Sequence, residues 1–217
     1  EGRTVYDNLR KAITFLLPIN GGESLSLVAA VLLGLTLPIT PVQILWVNMV
    51  SSVALAMTLA FEPTEREVMR RRPRAPEEPV ISGFLLWRIV LVSALFLAGI
   101  FGMFELALAR GASVEEARTV AVNTLVAMEV FYLFSVRYLR APSFTFEGVR
   151  GTQPVLIAVF AVFGLQLAFT YAPFMETFFH SRPLSFATGL QIVAVGVALL
   201  VLLEIEKFVR RRLIVGA

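Results

Sequence analysis

A chain of 217 residues that is 57% hydrophobic and only 16% charged, with a mean hydropathy of +0.78, is far more apolar than a soluble domain of average composition. Its formal net charge of +3 comes from basic residues gathered at the ends of apolar runs. No aromatic-interleaved basic surface accompanies them, which excludes nucleic acid as the expected partner and makes them topology signals for a lipid bilayer. With no cysteine present, a disulfide framework and a thiolate metal site are both ruled out.

About 20 apolar residues are needed to cross a bilayer, and six runs meet that requirement. They predict an all-α, polytopic membrane protein, a six-transmembrane-helix bundle, with spans at about 9–35, 42–61, 83–108, 117–138, 154–171 and 185–203. The first span has a charged amphipathic start (Arg3, Asp7, Arg10, Lys11) that projects beyond the membrane. Pro38 and Pro41, separated only by Ile39 and Thr40, interrupt any continuous helix, so the first two spans form a hairpin. A polar connection at 62–82 carries a basic run from Arg70 to Arg74. Sixteen of the nineteen Lys and Arg residues fall on one side of an alternation in phase with six spans, and only Arg110, Arg118 and Arg182 fall on the other. The positive-inside rule then places both termini in the cytoplasm. The sequence opens on Glu1-Gly2-Arg3, without Met or a signal peptide, as expected of a piece of a longer chain.

Polar residues at membrane depth are the functional signal. A charged side chain there costs about 2.5–3.5 kcal/mol on insertion scales and tends to serve an ion or proton path. Pro18-Ile19-Asn20-Gly21-Gly22-Glu23 puts such a group in mid-span. Asn20 and Glu23, three residues apart, share a helical face, the glycines permit close approach of another helix, and Pro18 loosens the hydrogen-bond ladder. The second span carries Asn48, Ser51 and Ser52 on one face, the fourth carries Glu129 near its middle, and the hairpin can bring the first two sets together. Arg88 and Arg137 lie near helix ends, where they can snorkel, so neither is an obvious counter-charge for the two deep carboxylates. Glu105 is expected at the interface, Glu204 and Glu206 in surface pairs, and Gln166 and Gln191 in interhelical hydrogen bonds. The single histidine, His180, lies in a connection and gives no support to a zinc or copper site.

Asn20, Glu23, Asn48, Ser51, Ser52 and Glu129 supply only oxygen-bearing side chains, the donor type suited to calcium, magnesium or sodium. Two carboxylates balance one divalent ion, and a second in the same low-dielectric site leaves excess positive charge, so electrostatics favour one divalent or up to two monovalent ions. The alternative is that both carboxylates are protonated and structural, in a non-catalytic membrane module that binds a partner. No catalytic or cofactor-binding residue stands out.

Several motifs in order, Glu1-Gly2-Arg3-Thr4-Val5-Tyr6-Asp7-Asn8, Pro18-Ile19-Asn20-Gly21-Gly22-Glu23, Pro41-Val42-Gln43-Ile44-Leu45-Trp46-Val47-Asn48-Met49-Val50 and Phe61-Glu62-Pro63, resemble the carboxyl-terminal half of type II P-type cation-transporting ATPases. The likeness is nearest to bacterial calcium-pump-like members. It implies that the six spans are the fifth to tenth of a ten-helix transport domain in a bacterial plasma membrane. It also implies that Asn20, Glu23, Asn48, Ser51 and Glu129 are ion ligands and that the 62–82 connection touches a phosphorylation domain. ATP and Mg2+ are then bound by domains outside this chain, which has no phosphorylated-aspartate motif. The expected cargo is Ca2+, with sodium, potassium, magnesium and manganese as alternatives. Two departures bear on that choice: Ser52 stands where calcium pumps carry an aspartate, and Val53-Ala54-Leu55 replaces a Gly-Leu-Pro-like stretch that unwinds the helix.

Overall fold

The computed structural model describes residues 2–63, 82–137 and 152–215, and every regular element among them is helical. Six helices are long and apolar enough to cross a bilayer: α1 (Gly2–Leu33), α2 (Pro41–Ala60), α3 (Gly83–Ala109), α4 (Val114–Arg137), α5 (Gln153–Tyr171) and α7 (Phe186–Val215). A short helix, α6 (Pro173–Phe179), lies between α5 and α7. The basic run from Arg70 to Arg74 falls outside the described residues.

Helix ends follow local chemistry more closely than apolar runs do. α1 is helical from Gly2, the first described residue, and its charged first turns are docked: the Asn8 amide donates to the carbonyls of Ala60 (3.2 Å) and Glu62 (2.9 Å), and Arg10 donates to Ser82 Oγ (3.3 Å). The chain leaves α1 through Gly34, whose φ of 63° lies in the left-handed region that glycine tolerates. Thr40 then caps α2, with Pro41 in the first turn and a reciprocal capping box to Gln43. At its far end α7 continues past the apolar run to Val215. Glu204 and Lys207, three residues apart on that helix, pair at 2.6 Å.

α4 is the centre of the bundle. Within its membrane span 72% of residues are buried, against 28% for α5 and 22% for α7, so α5 and α7 present most of their surface outward. The core around α4 is drawn from Phe15, Phe96, Leu125, Tyr132 and Leu133. Lipid tails are as apolar as leucine, so helix association here rests on close packing and hydrogen bonds rather than on burial from water. Small residues show where that packing is tightest. A Cβ on Gly22 would lie 2.5 Å from Phe96 Cβ, and one on Gly21 would overlap Ser93 Oγ, so α1 and α3 touch at the depth where Glu23 emerges.

Two charged residues expected to snorkel are buried instead. Arg88 is fully enclosed, with one guanidinium nitrogen 3.4 Å from Glu206 Oε2 and another 2.8 Å from Ser135 Oγ. Arg137 pairs with the buried Glu62 carboxylate at 2.5 Å. Glu206 and Glu204 therefore join a largely enclosed network rather than a solvated surface, because each finds a cation on a neighbouring helix or turn. Gln166 of α5 accepts from Trp46 Nε1 of α2 at 3.5 Å, and Gln191 of α7 accepts from Arg110, at the end of α3, at 2.6 Å.

Candidate cation site

Three helices converge on one polar pocket at mid-span. α1 contributes Glu23 from the turn after Pro18 and the glycine pair. The helix is continuous through Pro18, and the Ser26 hydroxyl folds back onto the Gly22 carbonyl at 2.7 Å.

α2 reaches the pocket through a wider turn. Residues Asn48–Ser52 are π-helical, and the Val53 N–H donates to the Asn48 carbonyl five residues back. Such turns insert one residue into an α-helix and often mark functional positions. The Val53-Ala54-Leu55 stretch therefore continues an ordinary α-helix, and the departure from α geometry sits one turn earlier. Ser51 and Ser52 are both buried; Ser51 Oγ donates to the Val47 carbonyl at 2.9 Å. The entry to α2 is fixed from outside, since Gln43 donates to the Phe179 carbonyl at 2.9 Å and Trp46 packs on Phe169 and Phe179 with ring centroids 5.7 and 5.3 Å away.

α4 supplies Glu129, which is 0% exposed; Glu23 is 4% exposed. Each carboxylate has one oxygen engaged and one left over. Asn48 Nδ2 donates to Glu23 Oε2 at 3.0 Å, and Ser52 Oγ donates to Glu129 Oε1 at 2.8 Å. Glu23 Oε1 and Glu129 Oε2 are buried with no hydrogen-bond partner among the described residues. Asn48 and Ser52, one turn apart on α2, link the two acids through these bonds. Buried polar atoms are almost always satisfied, and a carboxylate without a partner is costly. The site therefore holds two orphaned acceptors, and among the described residues no basic side chain bonds to either.

Five of the six expected residues (Glu23, Asn48, Ser51, Ser52 and Glu129) come together. Asn20 does not join them. It is exposed, in a row with Leu17, Ser24 and Val28 on the outer side of α1. Three residues turn a helix by roughly 300°, leaving Asn20 and Glu23 about 60° apart, and the edge of the buried face falls between them. Glu105 is exposed, as expected for an interfacial residue. No group of three or more His, Cys, Asp or Glu side chains that could hold a metal occurs among the described residues; beside the two acids, Asn48, Ser51 and Ser52 offer neutral oxygens. Sequence reasoning missed Tyr132 and Ser93, which hydrogen-bond to backbone carbonyls of α1 beside the pocket. The available signal was Pro18, which withholds one backbone donor.

Carboxylates buried on neighbouring spans are characteristic of ion and proton paths in polytopic membrane domains. The family described as "Cation transporting ATPase, C-terminus" matches residues 36–209, and the chain belongs to that family. It is similar to "Probable cation-transporting ATPase F" of Mycobacterium tuberculosis, 41% identical over 211 residues, covering 97% of this chain and 23% of the relative. It is also similar to "Cation-transporting ATPase pma1" of a Synechocystis species, 43% identical over 189 residues (85% and 21%), and to "Calcium-transporting ATPase" of Bacillus subtilis, 35% identical over 189 residues (83% and 20%). The chain thus spans less than a quarter of the length of these relatives. With six apolar helices and bacterial relatives of this class, it is a multi-pass integral protein of the plasma membrane.

Proposed function

We propose that the chain forms much of the cation pathway of an ATP-driven P-type pump, that Ca2+ is the cargo, and that one divalent ion is carried per cycle. The observation that carries this reading is the pair of buried, unpartnered oxygens, Glu23 Oε1 and Glu129 Oε2, on acids whose other oxygens are held by Asn48 and Ser52. Two carboxylates match the charge of one divalent ion, and oxygen-only donors suit a hard cation. Ser52 bonds to Glu129 where an aspartate would bring a third negative charge, which favours one divalent ion over two. One of the relatives is named a calcium-transporting ATPase, and that name supports calcium over other cations.

In this mechanism the ion takes the two orphaned oxygens, and Asn48 turns its carbonyl oxygen inward as its amide leaves Glu23. Binding permits phosphorylation in domains outside this chain, which also hold ATP and Mg2+. The helices then rearrange and the ion leaves on the opposite side, with protons neutralising the emptied acids. Both termini lie on the cytoplasmic side. The contacts of Asn8 and Arg10 with the end of α2 and the start of α3, and those of Arg88 with α7, gather at one end of the bundle and support that arrangement.

The test is phosphoenzyme formation from ATP by the full-length protein in calcium, magnesium, manganese, sodium or potassium, beside Glu23→Gln. Calcium-dependent phosphorylation lost in the variant is expected. Dependence on sodium or potassium would replace calcium as cargo. Phosphorylation indifferent to every cation and to the variant would return Glu23 to a structural acid in a membrane module.

A further inference from the structure

Pro18 has no N–H, so the Thr14 carbonyl four residues earlier cannot receive its helical hydrogen bond. A donor from another helix takes the place: Tyr132 Oη donates to the Thr14 carbonyl at 2.7 Å. One turn on, Ser93 Oγ of α3 donates to the Pro18 carbonyl at 3.0 Å. α1 is therefore gripped on either side of its proline by hydroxyls from two different helices. The Tyr132 ring is fixed in turn, stacked on Phe15 with centroids 5.8 Å apart and edge-on to Phe96 at 6.0 Å, and the residue is fully buried.

The positions of these groups in sequence matter. Tyr132 is three residues from Glu129, so both project from the same side of α4. Pro18 is five residues before Glu23. One hydrogen bond thus ties the helix bearing one acid to the helix bearing the other, about one turn along α4 from Glu129 and about two and a half turns along α1 from Glu23. Ion selectivity in a cage of oxygen ligands depends on cavity size and on how rigidly the ligands are held, and supporting residues around first ligands typically tune affinity by tenfold or more.

We propose that Tyr132, through its hydrogen bond to the carbonyl that Pro18 leaves free, is a positioning residue that sets the spacing between Glu23 and Glu129 and hence the affinity and preference of the cation pocket. Ser93 is the second, weaker grip. The inference rests on the transport reading above, and it makes a claim about Tyr132 and Pro18 that can fail separately.

The experiment is a double-mutant cycle in the full-length protein with Tyr132→Phe and Pro18→Ala. Tyr132→Phe removes only the hydroxyl and keeps the ring contacts. Pro18→Ala restores an N–H that can satisfy Thr14 from within α1, making the hydroxyl redundant. With Pro18 in place, Tyr132→Phe is expected to raise the half-saturating calcium concentration for phosphorylation by about threefold to tenfold, the equivalent of one buried hydrogen bond. The maximal phosphoenzyme level should be unchanged and the calcium-to-magnesium preference reduced. In the Pro18→Ala background the same substitution should produce no further shift. Equal shifts in both backgrounds, or none in either, would overturn the proposal. Ser93→Ala provides a second variant, expected to shift half-saturation in the same direction by less. If phosphorylation proves indifferent to cations, the transport reading fails, and thermal unfolding of the same four proteins still decides the clamp: Tyr132→Phe must destabilise the protein that keeps Pro18 and leave the Pro18→Ala variant no less stable.

Discussion

Two clusters of buried charge lie in this bundle, and they are resolved in opposite ways. At one end, Arg137 meets Glu62, Arg88 meets Glu206 and Lys207 meets Glu204, so each acid has a cation supplied by the protein. At mid-span, Glu23 and Glu129 have only an amide and a hydroxyl, and one oxygen of each is left without a partner among the described residues. The first cluster completes itself and holds helices together. The second has no counter-charge from the protein, and the transport reading rests on that difference.

That contrast can be broken from either side. The largest effect belongs to the open cluster: Glu129→Gln should reduce cation-stimulated ATP hydrolysis by the full-length protein to background while the protein still folds, because an amide is better tolerated than an unpaired buried acid. In the closed cluster, Arg137→Met strands Glu62 and should lower stability by about 3–5 kcal/mol, read as a fall in thermal midpoint, with the order of cation preference unchanged. Gly22→Ala forces a methyl against Phe96 and should cost about 1–3 kcal/mol as an overpacked contact. Since it pushes α1 away from α3, it should also weaken calcium half-saturation. Ser52→Ala frees the second Glu129 oxygen and should alter stability by about 1 kcal/mol while weakening cation affinity severalfold. At the small end, Glu105→Gln on the exposed side of α3 should change stability by no more than about 0.5 kcal/mol and leave cation-stimulated turnover as it was.

The six spans are legible in the sequence because a bilayer demands long apolar runs, and each run here is bounded by charge or proline. Glu23 and Glu129 are legible for the converse reason: an acid inside such a run is too costly to be incidental. What the sequence hides depends on pairings across long separations. Arg88 reads as a snorkelling residue until Glu206, 118 positions away, is seen beside it. Arg137 reads the same way until Glu62 is placed 75 positions away. Asn20 illustrates a different limit. Its spacing from Glu23 correctly gives a shared side of the helix, but spacing does not say where the buried face ends, and that boundary is set by how α1 packs on α3. The π turn at Asn48–Ser52 leaves no mark in composition.

The most direct test of the open cluster is equilibrium binding of calcium to the purified full-length protein, measured beside Glu129→Gln. The account predicts one calcium ion bound per protein at saturation, lost or greatly weakened in the variant. Saturation at two ions, or one ion bound equally well by Glu129→Gln, would contradict the assignment of Glu23 and Glu129 as a shared site for a single divalent cation.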